Sequence, residues 1–225
     1  MKQGTVYPLS LLREKINIPQ KEILRYMGCK EETTSATGLI HEFLPLVHNS
    51  LLPKGSFARL PVEIKDNVVK ISDLCVTSYD LSKNLSECSE VIVFALSLGT
   101  DVDRLINKYS IIRPSASLCI NSIGVAAIEE YADMFCKEIS DKLSAENLYT
   151  RPRFSCGYGD FSIEYQADIL KLVNASRLCG INLTNSYLMT PSKSVTAIVG
   201  ISNINSNCTS HKCEDCAKTD CKYRR

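Results

Sequence analysis

The chain has 225 residues, enough for one large domain with a real core or for two small ones. Hydrophobic residues make up 44% and charged residues 23%, the balance of a globular protein that folds in water. With 26 basic against 25 acidic side chains the formal net charge is +1, so no field over the whole molecule recruits nucleic acid or an anionic membrane.

The opening stretch, MKQGTVYPLSLLREKINIPQ, holds only a short apolar patch, interrupted by Arg13, Glu14 and Lys15. It reads as neither a secretory signal nor a membrane span, and a cytoplasmic location is expected. Seven of the 11 cysteines (Cys29, Cys75, Cys88, Cys119, Cys136, Cys156 and Cys179) are scattered singly and read as reduced thiols.

In chain order, residues 19–27 (PQKEILRYM) read as a short helix stopped by Gly28. Residues 33–52 carry Leu39, Ile40, Phe43, Leu44, Leu46 and Val47 on a helical face, with Pro45 placed to kink it. Residues 59–76 mix short apolar pairs with charges and suit small strands. VIVFALSLGT, residues 91–100, reads as a buried strand leading into a helix capped by Thr100 or Asp101. Apolar positions from Leu118 to Leu143 keep helical spacing over about seven turns. EYQADILKLVNASRL predicts a second amphipathic helix ended by Gly180, and VTAIVGIS, residues 195–202, a buried strand. This order points to an α+β fold: one domain over residues 1–203 with a tail over 204–225.

No hydrolase, phosphate-loop or dinucleotide motif occurs, and His41 and His48 lack a surrounding ligand pattern, which leaves them a surface or core role. RPRFSCGYGD, residues 151–160, is a loop in which glycines admit close approach, an arginine can fork onto a carboxylate and a tyrosine offers a flat face. By composition alone, a tight turn between two helices with its arginines solvated is the plainer reading.

RFSCGYGD, followed after a helix by GINLTNSYLMTPSKSVTAIVGIS, resembles the C-terminal activation domain of cobalamin-dependent methionine synthase. Arg153, Gly157 and Tyr158 fall without a gap on that family's Arg-Pro-Ala-Pro-Gly-Tyr segment, while Phe154, Ser155 and Cys156 replace Pro, Ala and Pro. Leu183, Thr184, Ser186, Met189, Pro191, Ser194 and Val195 match its second segment, and Asn185 replaces a glutamate. AAIEEYADMFCKEI is similar to the family's helix before the loop, so the likeness spans about residues 90–202. The family's ligand-contacting aspartate near the start of its domain has no clear counterpart. Its tyrosine beyond the last strand has none either, because the chain passes there into NINSNCTSHKC.

The resemblance implies long helices packed on a twisted, mainly antiparallel sheet. It also implies a site for S-adenosylmethionine, the methyl source that returns cob(II)alamin to methylcobalamin with an electron from a flavodoxin- or ferredoxin-type donor. Carried over, Arg153 grips the methionine carboxylate, the Ser155 backbone bonds the ligand, and Gly157 and Tyr158 shape the wall. Asp160 and Glu164 either face the ligand's positive charge or begin a solvated helix. The modules for homocysteine, folate and cobalamin are not in this sequence, so the chain is expected to serve a separate corrinoid methyltransferase as an accessory, not as a complete methionine synthase. Such a site needs no acid–base residues, since the sulfonium methyl is already electrophilic.

The tail, CTSHKCEDCAKTDCKYRR, places Cys213 and Cys216 in a CxxC with Cys208 and Cys221 five residues to either side, and His211 as a substitute ligand. Four soft ligands so close suit zinc or an iron–sulfur cluster. Two alternatives are a non-catalytic module that binds a corrinoid protein, and a redox protein that works through the tail.

Overall fold

The computed structural model describes residues 1–29 and 31–204. Among these, the strands are β1 (Val6–Ser10), β2 (Lys54–Lys65), β3 (Val68–Ile71), β4 (Leu74–Thr77), β5 (Glu90–Ser97), β6 (Tyr149–Thr150), β7 (Asn182–Leu183), β8 (Met189–Thr190) and β9 (Ser194–Ser202). The helices are α1 (Gln20–Tyr26), α2 (Thr34–Ser50), α3 (Tyr79–Asn84), α4 (Asp101–Ile112), α5 (Pro114–Ser144), α6 (Gln166–Leu172) and α7 (Ala175–Cys179). The main sheet runs β4-β3-β2-β5-β9-β6, antiparallel at each pairing, and β7 with β8 forms a separate hairpin. The expected α+β class is therefore the observed one.

β2 is much longer than the small strands expected there. One edge pairs with β5 from Lys54 to Pro61; the other is shared between β1, opposite residues 54–58, and β3, opposite residues 62–65. Pro61, which has no N–H to give, stands where that second edge passes from β1 to β3.

The sheet separates two cores. On one face Phe57, Ile92, Phe94, Leu96, Ala197 and Val199 meet α5 and its neighbours α1, α2 and α4. Phe135 of α5 lies 5.3 Å from the ring of Phe57 and 4.9 Å from that of Phe94. On the other face Ala58, Leu60, Val91, Val93, Ala95 and Ile198 meet Phe161, Ile169, Val173, Cys179 and Ile181. Covered on both sides, β5 has no position at which a polar side chain reaches water beyond Glu90, which explains its unbroken apolar run.

The helices follow their sequence signals. Thr33 Oγ1 caps α2 by accepting from the Ala36 N–H, and α2 continues through Pro45 because that residue lies on the solvent side. Pro114 at the first turn of α5 takes a place where its missing N–H costs nothing. Thr100 precedes α4 but makes no side-chain cap bond.

The single helix expected over residues 164–178 is instead a short 3-10 turn, Ile163–Tyr165, followed by α6 and α7. Asn174 breaks it by adopting a left-handed conformation (φ 52°), which asparagine tolerates better than most residues. The break lets Ile169, Leu170, Val173, Ala175 and Cys179 all turn toward the sheet.

Gly200 in β9 lies against the turn after α3: a Cβ there would sit 2.6 Å from Cys88 Sγ, 2.9 Å from Leu85 Cδ2 and 3.1 Å from Arg151 Cγ. Gly200→Ala is therefore expected to cost about 1–3 kcal/mol by overpacking, read as a lower urea midpoint with an unchanged m-value.

Candidate functional site

The loop of residues 151–160 leaves β6 and stays on the outer edge of β9. The Arg151 N–H donates to Gly200 O (2.8 Å), the Phe154 N–H to Ile198 O (2.9 Å), and the Ile198 N–H back to Phe154 O (2.8 Å). Asn84 Nδ2 donates to Pro152 O from the end of α3 (3.2 Å). The loop thus follows β9 before it turns away, rather than forming a plain turn between two helices.

Neither arginine is solvated. Arg151 is buried beneath the turn after α3, where Nη2 reaches Ser86 O at 3.4 Å and Glu87 Oε2 at 3.3 Å. The Arg153 side chain is 13% exposed and lies against α5, with Nη2 2.5 Å from Glu129 Oε2 and Nη1 2.9 Å from Asp133 Oδ1. Those two acids stand four residues apart, on one face of α5. The guanidinium expected to hold a ligand carboxylate is therefore already shared between two protein carboxylates.

The tip folds on itself. The Tyr158 N–H donates to Ser155 O (3.3 Å), the Phe161 N–H to Tyr158 O (3.0 Å), and the Gly157 N–H to Phe161 O (2.7 Å). Gly157 takes φ +88°, which disfavours any side chain there, and Tyr158 is 66% exposed. Cys156 points inward to the second core with Phe161, where it fills space, and burial pushes its thiol up to about 12.

Asp160 does not start a helix; exposed at the loop's end, it is bonded instead to the start of another one. Its carboxylate accepts from Ser78 Oγ, from the Tyr79 N–H (2.7 Å) and from the Asp80 N–H (3.1 Å), at the first turn of α3. The Ser78 hydroxyl foremost holds its pKa below the usual carboxylate value. Glu164 lies in the 3-10 turn, where its N–H donates to Ser162 Oγ.

The second matched segment forms the β7–β8 hairpin and the start of β9. Thr184 closes the hairpin with Leu188, N–H to O at 2.9 Å and Oγ1 from the Leu188 N–H at 3.1 Å. Gln166 of α6 joins this segment to the helix after the loop, with Nε2 donating to Thr196 Oγ1 at 2.7 Å and reaching Met189 Sδ at 3.1 Å. Ser192 bonds Asp103 at the start of α4, through its N–H (2.7 Å) and its hydroxyl.

Lys193 follows, 6% exposed, its stem close against Gly124 and its Nζ 2.8 Å from Ser192 Oγ. Burial lowers its pKa from the ordinary 10.5, with Asp103 opposing. The folded state thus holds this proton less tightly than the unfolded chain, so stability rises as pH climbs through the alkaline range toward 10.5. Lys193→Met should remove that alkaline rise in a pH series of thermal melts.

Two open cavities, of about 570 and 620 Å³, lie elsewhere: one beside Ile16 and His48, the other beside Leu11 and Tyr131. Neither is lined by Arg153, Ser155, Gly157 or Tyr158. Cys208, Cys213, Cys216, Cys221 and His211 lie outside the described residues. Among the described residues no cluster of three metal-ligating side chains occurs, and no helix is long and apolar enough to cross a membrane.

The fold places the chain in a recognisable structural class. It is similar to a crystal structure of the MetH reactivation domain bound to AdoHcy, with a TM-score of 0.68 at 14% sequence identity, over 91% of this chain and 80% of that one. No family model and no curated protein matches the sequence. The likeness is one of fold: an α+β architecture of helices on a mainly antiparallel sheet.

Proposed function

We propose that the chain binds S-adenosylmethionine at the loop of residues 151–160 and supports reductive methylation of cob(II)alamin held by a separate corrinoid methyltransferase, such as methionine synthase. The observation that carries this reading is the fold shared over most of the chain with a domain bound to AdoHcy, together with the seating of Arg153 between that loop and α5.

The charges present fit the ligand. Arg153, Glu129 and Asp133 together carry −1, and S-adenosylmethionine, with a sulfonium, an ammonium and a carboxylate, carries +1. On binding, the ligand carboxylate takes its place on Arg153, and the cationic groups are met by the two acids of α5. Gly157 leaves the wall beside the ligand free of a side chain, and Tyr158 presents its ring at the exposed rim. When bound, the ligand supplies an electrophilic methyl group; the protein's part is to hold it in line with the cobalt of the partner, so that no histidine base or serine nucleophile is required. The electron that the methylation consumes comes from a flavodoxin- or ferredoxin-type donor.

Calorimetric titration should show S-adenosylmethionine binding to the unsubstituted protein, with S-adenosylhomocysteine alongside. Arg153→Ala should weaken the interaction by about 1.5–3 kcal/mol, the range for a hydrogen bond to a charged group. Absence of binding by the unsubstituted protein refutes the ligand reading and favours a module that docks a corrinoid protein without a ligand.

For the tail we propose that Cys208, Cys213, Cys216 and Cys221 hold zinc or an iron–sulfur cluster, on the strength of their spacing. Metal analysis with labile-sulfide assay on anaerobically purified protein should find one or the other; finding neither removes this part of the proposal.

A further inference from the structure

The two halves of the loop are held by different means. Residues 151–154 are tied to β9. The hydrogen bonds within residues 155–161 fold the tip on itself but do not orient it against the rest of the protein. Cys156 and Phe161 seat it on the second core, and its polar hold on the rest of the protein is an exchange of carboxylates with α3. Asp160 accepts from Ser78 Oγ and from the Tyr79 and Asp80 N–H groups, and the Asp160 N–H donates in return to Asp80 Oδ2 at 3.3 Å.

Helix starts leave N–H groups without partners, and here a carboxylate from 80 residues away accepts two of them. Three donors converge on this one carboxylate, and bonds to a charged acceptor are stronger than neutral ones. Gly159 makes the approach feasible. It takes φ +53°, and a Cβ there would lie 2.1 Å from Asp80 Oδ2.

We infer that Asp160 is a positioning residue for the ligand loop: by clasping the first turn of α3 it sets where Gly157 and Tyr158 stand relative to Arg153, without itself touching the ligand. This rests on the reading of the loop as a ligand site. It also gives α3 and its flanking residues a role, because Asn84 and Ser86 hold the other end of the same loop.

The test compares Asp160→Ala with Ser78→Ala. Ser78 caps α3 by accepting from the Leu81 N–H and also donates to Asp160, so its loss weakens the helix and removes one bond of the clasp while leaving both backbone N–H groups to Asp160. Asp160→Ala should weaken S-adenosylmethionine binding by about tenfold and speed amide exchange in residues 155–159 as well as 79–81. Ser78→Ala, which keeps the two backbone bonds to Asp160, should weaken affinity by no more than about threefold and speed exchange in the tip less than Asp160→Ala does. Should Asp160→Ala fail to fold, Asp160→Asn takes its place; its Nδ2 cannot accept from the Tyr79 N–H, so a smaller shift of the same kind is expected.

Equal weakening by the two alanine variants, in step with their loss of thermal stability, overturns the inference, as does unchanged affinity in Asp160→Ala. If the unsubstituted protein binds nothing, the ligand reading falls. Exchange then decides the positioning claim alone: faster exchange in Asp160→Ala confined to residues 79–81 refutes it, and faster exchange that extends through residues 155–159 upholds it.

Discussion

Residues 91–97 of β5 are buried on both faces of an antiparallel sheet, and much of the architecture follows from that demand. A strand in this position needs a partner along each edge, which β2 and β9 supply, and an apolar cover on each side. One cover is regular, with the 31-residue α5 at its centre. The other is assembled from short pieces: Phe154, Cys156 and Phe161 of the loop, then α6 and α7. The candidate site is thus built into the roof of the second core. Its apolar residues anchor the loop from below, Arg153 lies against α5, and Gly157 and Tyr158 form the outward tip.

The charged residues obey the complementary rule that a poorly solvated ion needs a partner. Arg153 sits against two acids of α5, Arg151 against a backbone carbonyl and Glu87, and Lys193 against Ser192 with Asp103 beyond. Each links the chain around the matched segments to a helix or turn from an earlier part of the sequence. The loop of residues 151–160 is thereby held from two directions, and the segment before β9 from a third.

The sequence made the elements with one strong period or one unbroken run legible: α2, α5, β5 and β9 all fall within a few residues of expectation. The break at Asn174 was not legible, because the apolar spacing on either side continues through it and only backbone conformation marks the interruption. Nor was the length of β2, whose charges at Arg59, Glu63 and Lys65 lie on a strand that changes partners midway. For the site, the spacing of Arg153, Gly157 and Tyr158 singled out the loop, but its partners could not be read. Glu129, Asp133 and Asp80 are distant in the chain and carry no local signal beyond the four-residue spacing of the first two. Asp160 was noticed for its charge, and only the packing of α3 against it shows where that charge goes.

The bonds that tie residues 151–154 to β9 have a consequence apart from any ligand. Beyond the two-residue β6, the outer edge of β9 would present Ile198 N–H and the carbonyls of Ile198 and Gly200 as a template for another strand. Arg151 and Phe154 occupy those positions, and Pro152 between them has no N–H to extend the ladder outward. The segment that carries the candidate site therefore also guards the sheet against edge-to-edge association, so changes made there to alter binding bear on aggregation as well.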